Sequence, residues 1–285
     1  MLKNINPAVI KALAIDLDGT MLLPDNSLGE RTIQCLKRLQ AGGIQVIICT
    51  GRAVESSCRY YSAIGAQGPM VFFNGAEVVD VPAVRVISAN LLGFDVIDYG
   101  IDLARSMGIH FQIFLPPNGE TRWETLLFER DSAEGEMYRS HTGIRPVIGD
   151  LKAAIATAAA EPGPQGCPKA MFIADPALHG EIRRKMLERF PERVYIARTF
   201  PAFLEIMSAG VSKGEGLKTV MACRGLKPEE VIAFGDEEND LPMFAAAGFS
   251  AAPSSAKENI REAADFVFGS SAEEGLAAFL NELFG

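Results

Sequence analysis

Residues 14–22 read AIDLDGTML and place Asp16 and Asp18 two positions apart at the end of an apolar run. Other polar residues stand in the same relation to an apolar segment. Thr50, Gly51 and Arg52 follow IQVIIC, Asn74 and Gly75 follow MVFF, and Gly235 and Asp236 follow VIAF. In open α/β sheets ligands bind outside the carboxyl ends of the strands, so chemistry is expected to gather at such positions. Lys213 belongs with them. Ser212 and Glu215 have the spacing of a capping box, which makes Lys213 the first residue of a helix whose unpaired N–H groups already attract an anion. A cation there costs about 0.3–1 kcal/mol when exposed, and becomes sensible once an anion faces both.

Taken singly, each of these features has an ordinary explanation. Asp and Gly are common turn residues, one lysine among many cationic residues is usually at the surface, and GDEEND (residues 235–240) could be an acidic loop. A calcium loop of the EF-hand type is excluded, because with Asp16 in first place Met21 falls where glycine is required and Ser27 where glutamate is required. Taken together, Asp16, Asp18 and Asp236 would crowd one sheet edge and raise one another's proton affinity. A hard divalent cation with oxygen ligands, Mg²⁺ in particular, relieves that crowding and keeps positions open for water and phosphate. The cation, Lys213 and the Thr50 hydroxyl would then offer a positive socket to a phosphate dianion, the division of labour found in phosphoryl transfer.

The elements that must position these residues follow from the apolar pattern. ALAIDL, IQVIICT, MVFFN and VIAFGD are buried strands, with GFSAA and DFVF as shorter ones. Amphipathic segments lie between them. Ser27 and Glu30 form a second S-x-x-E box ahead of Ile33, Leu36 and Leu39, with Gly42 and Gly43 closing that helix. A helix is expected over residues 53–64. Another begins near residues 239–241 with Pro242 in its first turn, and Leu276, Phe279, Leu280 and Leu283 mark a last buried helical face. Apolar strands alternating with such helices imply a doubly wound, mostly parallel α/β sheet of Rossmann-like form. Residues 84–207 break the pattern with a helix over 94–107, the strands IHFQIFL, ETLLFE, KAMFIA, VYIART and FLEIM, and connections such as EPGPQGCP. An α+β insertion is expected there, flanked by a discontinuous core of residues 1–83 and 208–285.

Composition narrows the classes. The 285 residues are 48% hydrophobic and 22% charged with a formal net charge of −9, which fits a globular chain with a large core. A basic, aromatic-interleaved surface is missing, so nucleic acid is not an expected partner. The trio Arg183, Arg184 and Lys185 reads as a solvated helix face. No apolar run reaches membrane-span length, and MLKNINPAVIK is too short and polar for a signal peptide. Five scattered cysteines without a CxxC pair imply reduced thiols and a cytoplasmic protein.

DLDGT (16–20), TGR (50–52), SKG (212–214) and GDEEND (235–240) resemble, in order, the four motifs of the haloacid dehalogenase superfamily. The insertion between the second and third resembles the large cap of its Cof-type, class IIB phosphatases, and FFNGAEV and NDLPMF are similar to that subgroup as well. The resemblance implies an Mg²⁺-dependent phosphatase for a small phosphorylated metabolite, a sugar phosphate or a phosphorylated cofactor. Asp16 would be the nucleophile, and Asp18 the acid that protonates the leaving alkoxide and the base that later activates water. The metal would be held by the carboxylates of Asp16 and Asp236 and the main-chain carbonyl of Asp18, with Asp240 behind them. Thr50, the Gly51 amide, Lys213 and Asn239 would hold the phosphoryl oxygens. Glu237 and Ser255 depart from the family pattern and receive no role. A phosphomutase, and a phosphometabolite-binding regulator without turnover, are the alternatives. The insertion would select the substrate, and His110, Trp123, His141, Tyr195 and Arg198 are side-chain types able to contact a sugar or ring, though each suits packing or a solvated face better.

Overall fold

The computed structural model describes residues 5–117 and 123–285. They form β1 (Ala12–Ile15), α1 (Glu30–Ala41), β2 (Gln45–Ile48), α2 (Val54–Ile64), β3 (Gly68–Phe72), β4 (Glu77–Val81) and β5 (Arg85–Ala89). The insertion follows with α3 (Phe94–Met107), β6 (His110–Leu115), β7 (Thr125–Phe128), α4 (Ala133–Thr142), β8 (Val147–Ile148), α5 (Leu151–Ala160), β9 (Ala170–Ile173), α6 (His179–Arg189), β10 (Val194–Phe200) and β11 (Phe203–Ser208). The chain closes with α7 (Lys213–Arg224), β12 (Val231–Phe234), α8 (Leu241–Ala246), β13 (Phe249–Pro253), α9 (Glu258–Ala263), β14 (Phe266–Phe268) and α10 (Gly275–Phe284). Two compact units result, one of residues 1–53, 57–88 and 212–285, the other of residues 54–56 and 89–211.

In the first unit five strands run in the order β14-β13-β12-β1-β2 with every pair parallel. β1 and β2 are buried almost throughout because helices cover both faces. Ala12, Ala14 and Ile47 face Leu217, Val220 and Met243 on α7 and α8. On the opposite face the Phe279 ring of α10 meets Phe234 and Phe268 at 5.9 Å. The chain proceeds from β1 to β2 on one side and resumes with β12 on the other. The strand order therefore switches between β1 and β12, which is the crevice where α/β sheets bind ligands. β3 joins at the far side through one parallel bridge between Cys49 and Val71, and then pairs antiparallel with β4. The third expected strand is thus the first of a small meander, β3-β4-β5, and only borders the parallel sheet.

The expected box at Ser27 and Glu30 does not form. Gly29 is the N-cap of α1, and the Ser27 hydroxyl donates to Asp25 instead, at 2.6 Å. The open N–H of Thr32 is satisfied by Glu274, whose Oε2 lies 2.8 Å away, having come from the far end of the sequence. A carboxylate there also suits the positive end of the helix dipole. The second box holds in its serine half, since Ser212 Oγ accepts from the Glu215 N–H at 3.2 Å.

The second unit has a six-stranded sheet, β10-β11-β9-β6-β7-β8, antiparallel except for β7 with β8. Phe111, Ile113, Phe172, Leu204 and Ile206 point to one face, where α3, α5 and α6 supply Ile97, Ile101, Ile155, Ile182 and Met186. Helices α4 and α5 go unmarked in the apolar pattern, yet their starts are written in N-caps, Ser132 and Asp150. The basic trio lies on α6, where Arg184 and Lys185 pair with Glu188 and Glu181 one turn away and Arg183 donates to the Ile196 carbonyl.

The capping geometry gives a direct stability comparison. Glu274→Ala should cost about 1–2 kcal/mol and Ser27→Ala less than about 0.5, measured by urea denaturation at pH 7. A larger loss from the serine would contradict the assignment of the cap.

Candidate active site

Asp16 ends β1 and Asp236 ends β12, so the two flank the switch point. After Asp16 the chain makes one wide turn over Leu17–Met21, closed by the Leu22 N–H on the Leu17 carbonyl. Gly19 sits in that turn at φ +77°, and a Cβ there would come within 2.2 Å of Asp236 Oδ2. Glycine is therefore required both by the backbone and by the carboxylate pressed against it. The Thr20 hydroxyl donates to Asp236 Oδ1 at 2.9 Å, tying the two loops together.

Lys213 enters from the first turn of α7. Its side chain is 2% exposed, and its ammonium lies 2.6 Å from Asp16 Oδ1 and 2.7 Å from Asp240 Oδ1. The cation that looks misplaced at a helix N-terminus is thus compensated by two buried carboxylates. Burial opposes its charge, but Asp16 and Asp240 outweigh burial and keep it protonated. Asp240 spends its other oxygen on the loop, accepting from the N–H groups of Asp236 at 2.9 Å and Glu237 at 3.1 Å. Both of its oxygens are engaged, so its place is behind the site. Asp16 and Asp236 each keep an oxygen with no hydrogen-bond donor among the described residues.

Burial drives the Asp16 carboxyl well above the usual carboxylate range. Lys213 pulls it back, while Asp240, Asp236 and Asp18 push it further up. Burial, with the Asp240 charge, likewise pushes Asp236 up to about 7, against the Thr20 hydrogen bond and Lys213. Oxygens of Asp16, Asp236 and Asp240 lie within 4.8 Å of one another. Hard oxygen donors crowded in this way fit a divalent cation. Asp16 and Asp236 are the residues with an oxygen to give.

Asp18 points elsewhere. Its carboxylate is 48% exposed and is gripped by Arg52 through both oxygens, with Nε 2.7 Å from Oδ2. Arg52 is held in turn by Asn26 Oδ1 at 2.9 Å and stacks over the Tyr60 ring. Thr50 is fully buried, and its hydroxyl accepts from the Arg52 N–H at 3.1 Å. Gly51 lies against the Asn74 amide, and Asn239 Nδ2 donates to Asn74 Oδ1 at 3.0 Å. Glu237, given no role above, is turned onto Lys257 at 2.8 Å, which offsets its charge beside Asp236. Arg52, Asn74 and Thr20 belong to this cluster without having been assigned to it. The signal for the first two is their place directly after an apolar strand, and for Thr20 its place inside the DLDGT loop.

Of the side chains considered for substrate contact in the insertion, His110 is engaged within the fold. His110 is buried, held by Ser132 at 3.0 Å and Gln112 at 3.2 Å, and its ring meets Phe128 edge-on. Tyr195 and Arg198 are exposed on β10, and Trp123 is half-buried. The His141 side chain lies outside the described residues.

Comparison with known proteins agrees with this geometry. The profile of the haloacid dehalogenase-like hydrolases matches residues 13–280. The chain belongs to that family. It is a phosphatase within it, a hydrolase of phosphoric monoesters. It is 28% identical to the 5-amino-6-(5-phospho-D-ribitylamino)uracil phosphatase YitU of Bacillus subtilis, over 95% of this chain and 97% of the relative. Among solved structures, a Thermotoga maritima protein superimposes with a TM-score of 0.82 at 26% identity, covering 96% of this chain and 97% of that one. The subclass IIB sugar phosphatase BT4131 shares the fold with a TM-score of 0.74 at 21% identity, covering 95% and 98%. No helix among the described residues is long and apolar enough to cross a membrane.

The raised carboxyls carry a sign that can be measured. A cation bound at Asp236 would have to displace its proton below about pH 7, so Mg²⁺ affinity should rise with pH through about 7. In the metal-free protein the same shift, above the unfolded value, means stability lost as pH rises from about 4 through 7. Calorimetric titration with MgCl₂ between pH 5.5 and 8.5, alongside thermal melts in chelator, checks both. A pH-independent Mg²⁺ affinity would contradict the coupling.

Proposed function

We propose that this phosphatase is magnesium-dependent and hydrolyses a small phosphorylated metabolite, a sugar phosphate or a phosphorylated cofactor, through an aspartyl-phosphate on Asp16. The observation that carries the reading is the buried Lys213 ammonium 2.6 Å from Asp16, at the mouth of the switch-point crevice. Lys213 partly offsets the effect of burial on Asp16 and presents positive charge where phosphoryl oxygens arrive. Thr50, the Gly51 amide and Asn239 complete the phosphate contacts. Mg²⁺, held by the Asp16 and Asp236 carboxylates and the Asp18 main-chain carbonyl, supplies the charge that lets two anions meet. Asp240 fixes the loop that carries Asp236.

An Asp16 oxygen bonds to phosphorus as the ester O–P bond breaks, and Asp18 gives its proton to the leaving alkoxide. Water then attacks phosphorus, Asp18 takes a proton from it, the acyl–phosphate bond breaks, and inorganic phosphate leaves with Asp16 restored. The Arg52 fork fixes the direction of the Asp18 carboxylate between turns. A phosphate ester on a ribityl chain, as named for YitU, falls within the proposed substrate class. Residues 84–207 are proposed as the cap that selects among such esters.

Turnover of p-nitrophenyl phosphate with and without Mg²⁺ tests the reading. Asp16→Asn should reduce kcat by at least about a thousandfold, and Asp18→Asn should lower kcat about a hundredfold or more while inorganic phosphate still binds. Full hydrolysis by Asp16→Asn would falsify the nucleophile assignment.

A further inference from the structure

The turn after β3 is strained in an unusual way. Phe73, Asn74 and Gly75 all have positive φ, at 50°, 58° and 99°. A non-glycine residue in that region is uncommon, and two in succession persist only where the surroundings fix them, often beside functional sites. Here the surroundings are the phosphate-side loop itself. The Phe73 N–H donates to the Arg52 carbonyl and the Asn74 N–H to the Thr50 carbonyl, both at 3.0 Å. The turn thus aims the Asn74 side chain, only 4% exposed, across Gly51, so closely that a Cβ on Gly51 would lie 2.8 Å from Asn74 Oδ1. That same oxygen accepts from Asn239 Nδ2 at 3.0 Å.

Asn239 has no other side-chain hydrogen bond among the described residues, and its Oδ1 is buried without a donor. An amide whose carbonyl end has no donor is oriented only by what its NH₂ end meets. Asn74 Oδ1 therefore decides which way the Asn239 amide is turned, and leaves its second N–H for another acceptor.

We propose that Asn74 is a positioning residue of the phosphate site, one that acts through Asn239. The strained turn holds its carbonyl oxygen so that Asn239 presents N–H, and not oxygen, to a phosphoryl group. This rests on the phosphate role proposed above for Asn239. It adds a fifth chain segment to the four that carry the site, joined to the Thr50–Gly51 loop by backbone and to residue 239 by side chain.

The test is Asn74→Gly, which deletes the amide while suiting the positive φ better than any other residue, so the turn is kept. Binding of inorganic phosphate is measured by calorimetry in saturating Mg²⁺, together with KM and kcat for p-nitrophenyl phosphate. Phosphate affinity should fall about tenfold, the loss of an oriented hydrogen bond to a charged group, with KM rising in parallel. Mg²⁺ affinity should stay within about twofold, because Asp16 and Asp236 are untouched. In an Asn239→Ala background the same substitution should cost less than about twofold, since its intermediary is gone. A folded Asn74→Gly protein that binds phosphate like the parent overturns the proposal while leaving the phosphatase reading intact. Losses that simply add in the double variant overturn it too, because they would make Asn74 a scaffold residue only. If Asp16→Asn retains full turnover, the proposed mechanism falls, yet the phosphate titration still decides the role of Asn74. A parent protein that binds no phosphate overturns both.

Discussion

Everything at the site depends on one buried cation. Lys213 is shut away from water between Asp16 and Asp240, two carboxylates that would otherwise repel each other at the end of β1. Burying charge is expensive, and a buried pair that loses one partner leaves the other uncompensated at a cost of about 3–5 kcal/mol. Exchanging any one of the three for an uncharged residue therefore leaves buried charge uncompensated. The arrangement gains little stability over an apolar packing of the same volume. What it fixes is position, because an ammonium with two short ionic contacts holds the start of α7, the end of β1 and the loop after β12 in one register.

From that anchor the remaining charges sort themselves. With Asp240 committed to Lys213 and to two backbone N–H groups, Asp236 is left at the loop tip with Thr20 on one oxygen and the other without a donor. Asp16 likewise keeps one oxygen in reserve. Two ionisable oxygens remain near each other in a place water barely reaches, which is why their proton affinities rise and why a divalent cation suits them. Asp18, two residues from Asp16, is carried outward onto Arg52 by the wide turn at Gly19. Neighbours in sequence are thereby given opposite environments, one buried beside a lysine and one half-exposed on an arginine.

The insertion illustrates a different economy. Its sheet buries one face under three helices with an apolar seam. His110 is occupied by Ser132, Gln112 and an aromatic edge, so its residue type says little about substrate.

Much was legible in the sequence because it is local. The alternation of apolar runs with helical faces specified the parallel core, and residues directly after strands identified the edge where Asp16, Thr50 and Asp236 gather. Capping residues are local as well, and Ser212 caps α7 as its spacing predicts. Ser27 does not cap α1, since the carboxylate that does so arrives from Glu274, some two hundred and forty positions away. The strand β3 was read for its apolarity, but its pairing depends on which neighbour the turn at residues 73–75 hands it, and that turn is fixed by loops from elsewhere. The sequence by itself determined the fold class and the residue types that meet at the switch point, because periodicity and strand ends are properties of short stretches. Only the tertiary structure decided how they divide the work: that Lys213 neutralises Asp16 and Asp240, that Arg52 takes Asp18, and that Asn74 orients Asn239. Each of those is a contact between groups far apart in the chain, and burial, which sets its strength, exists only once the chain has folded.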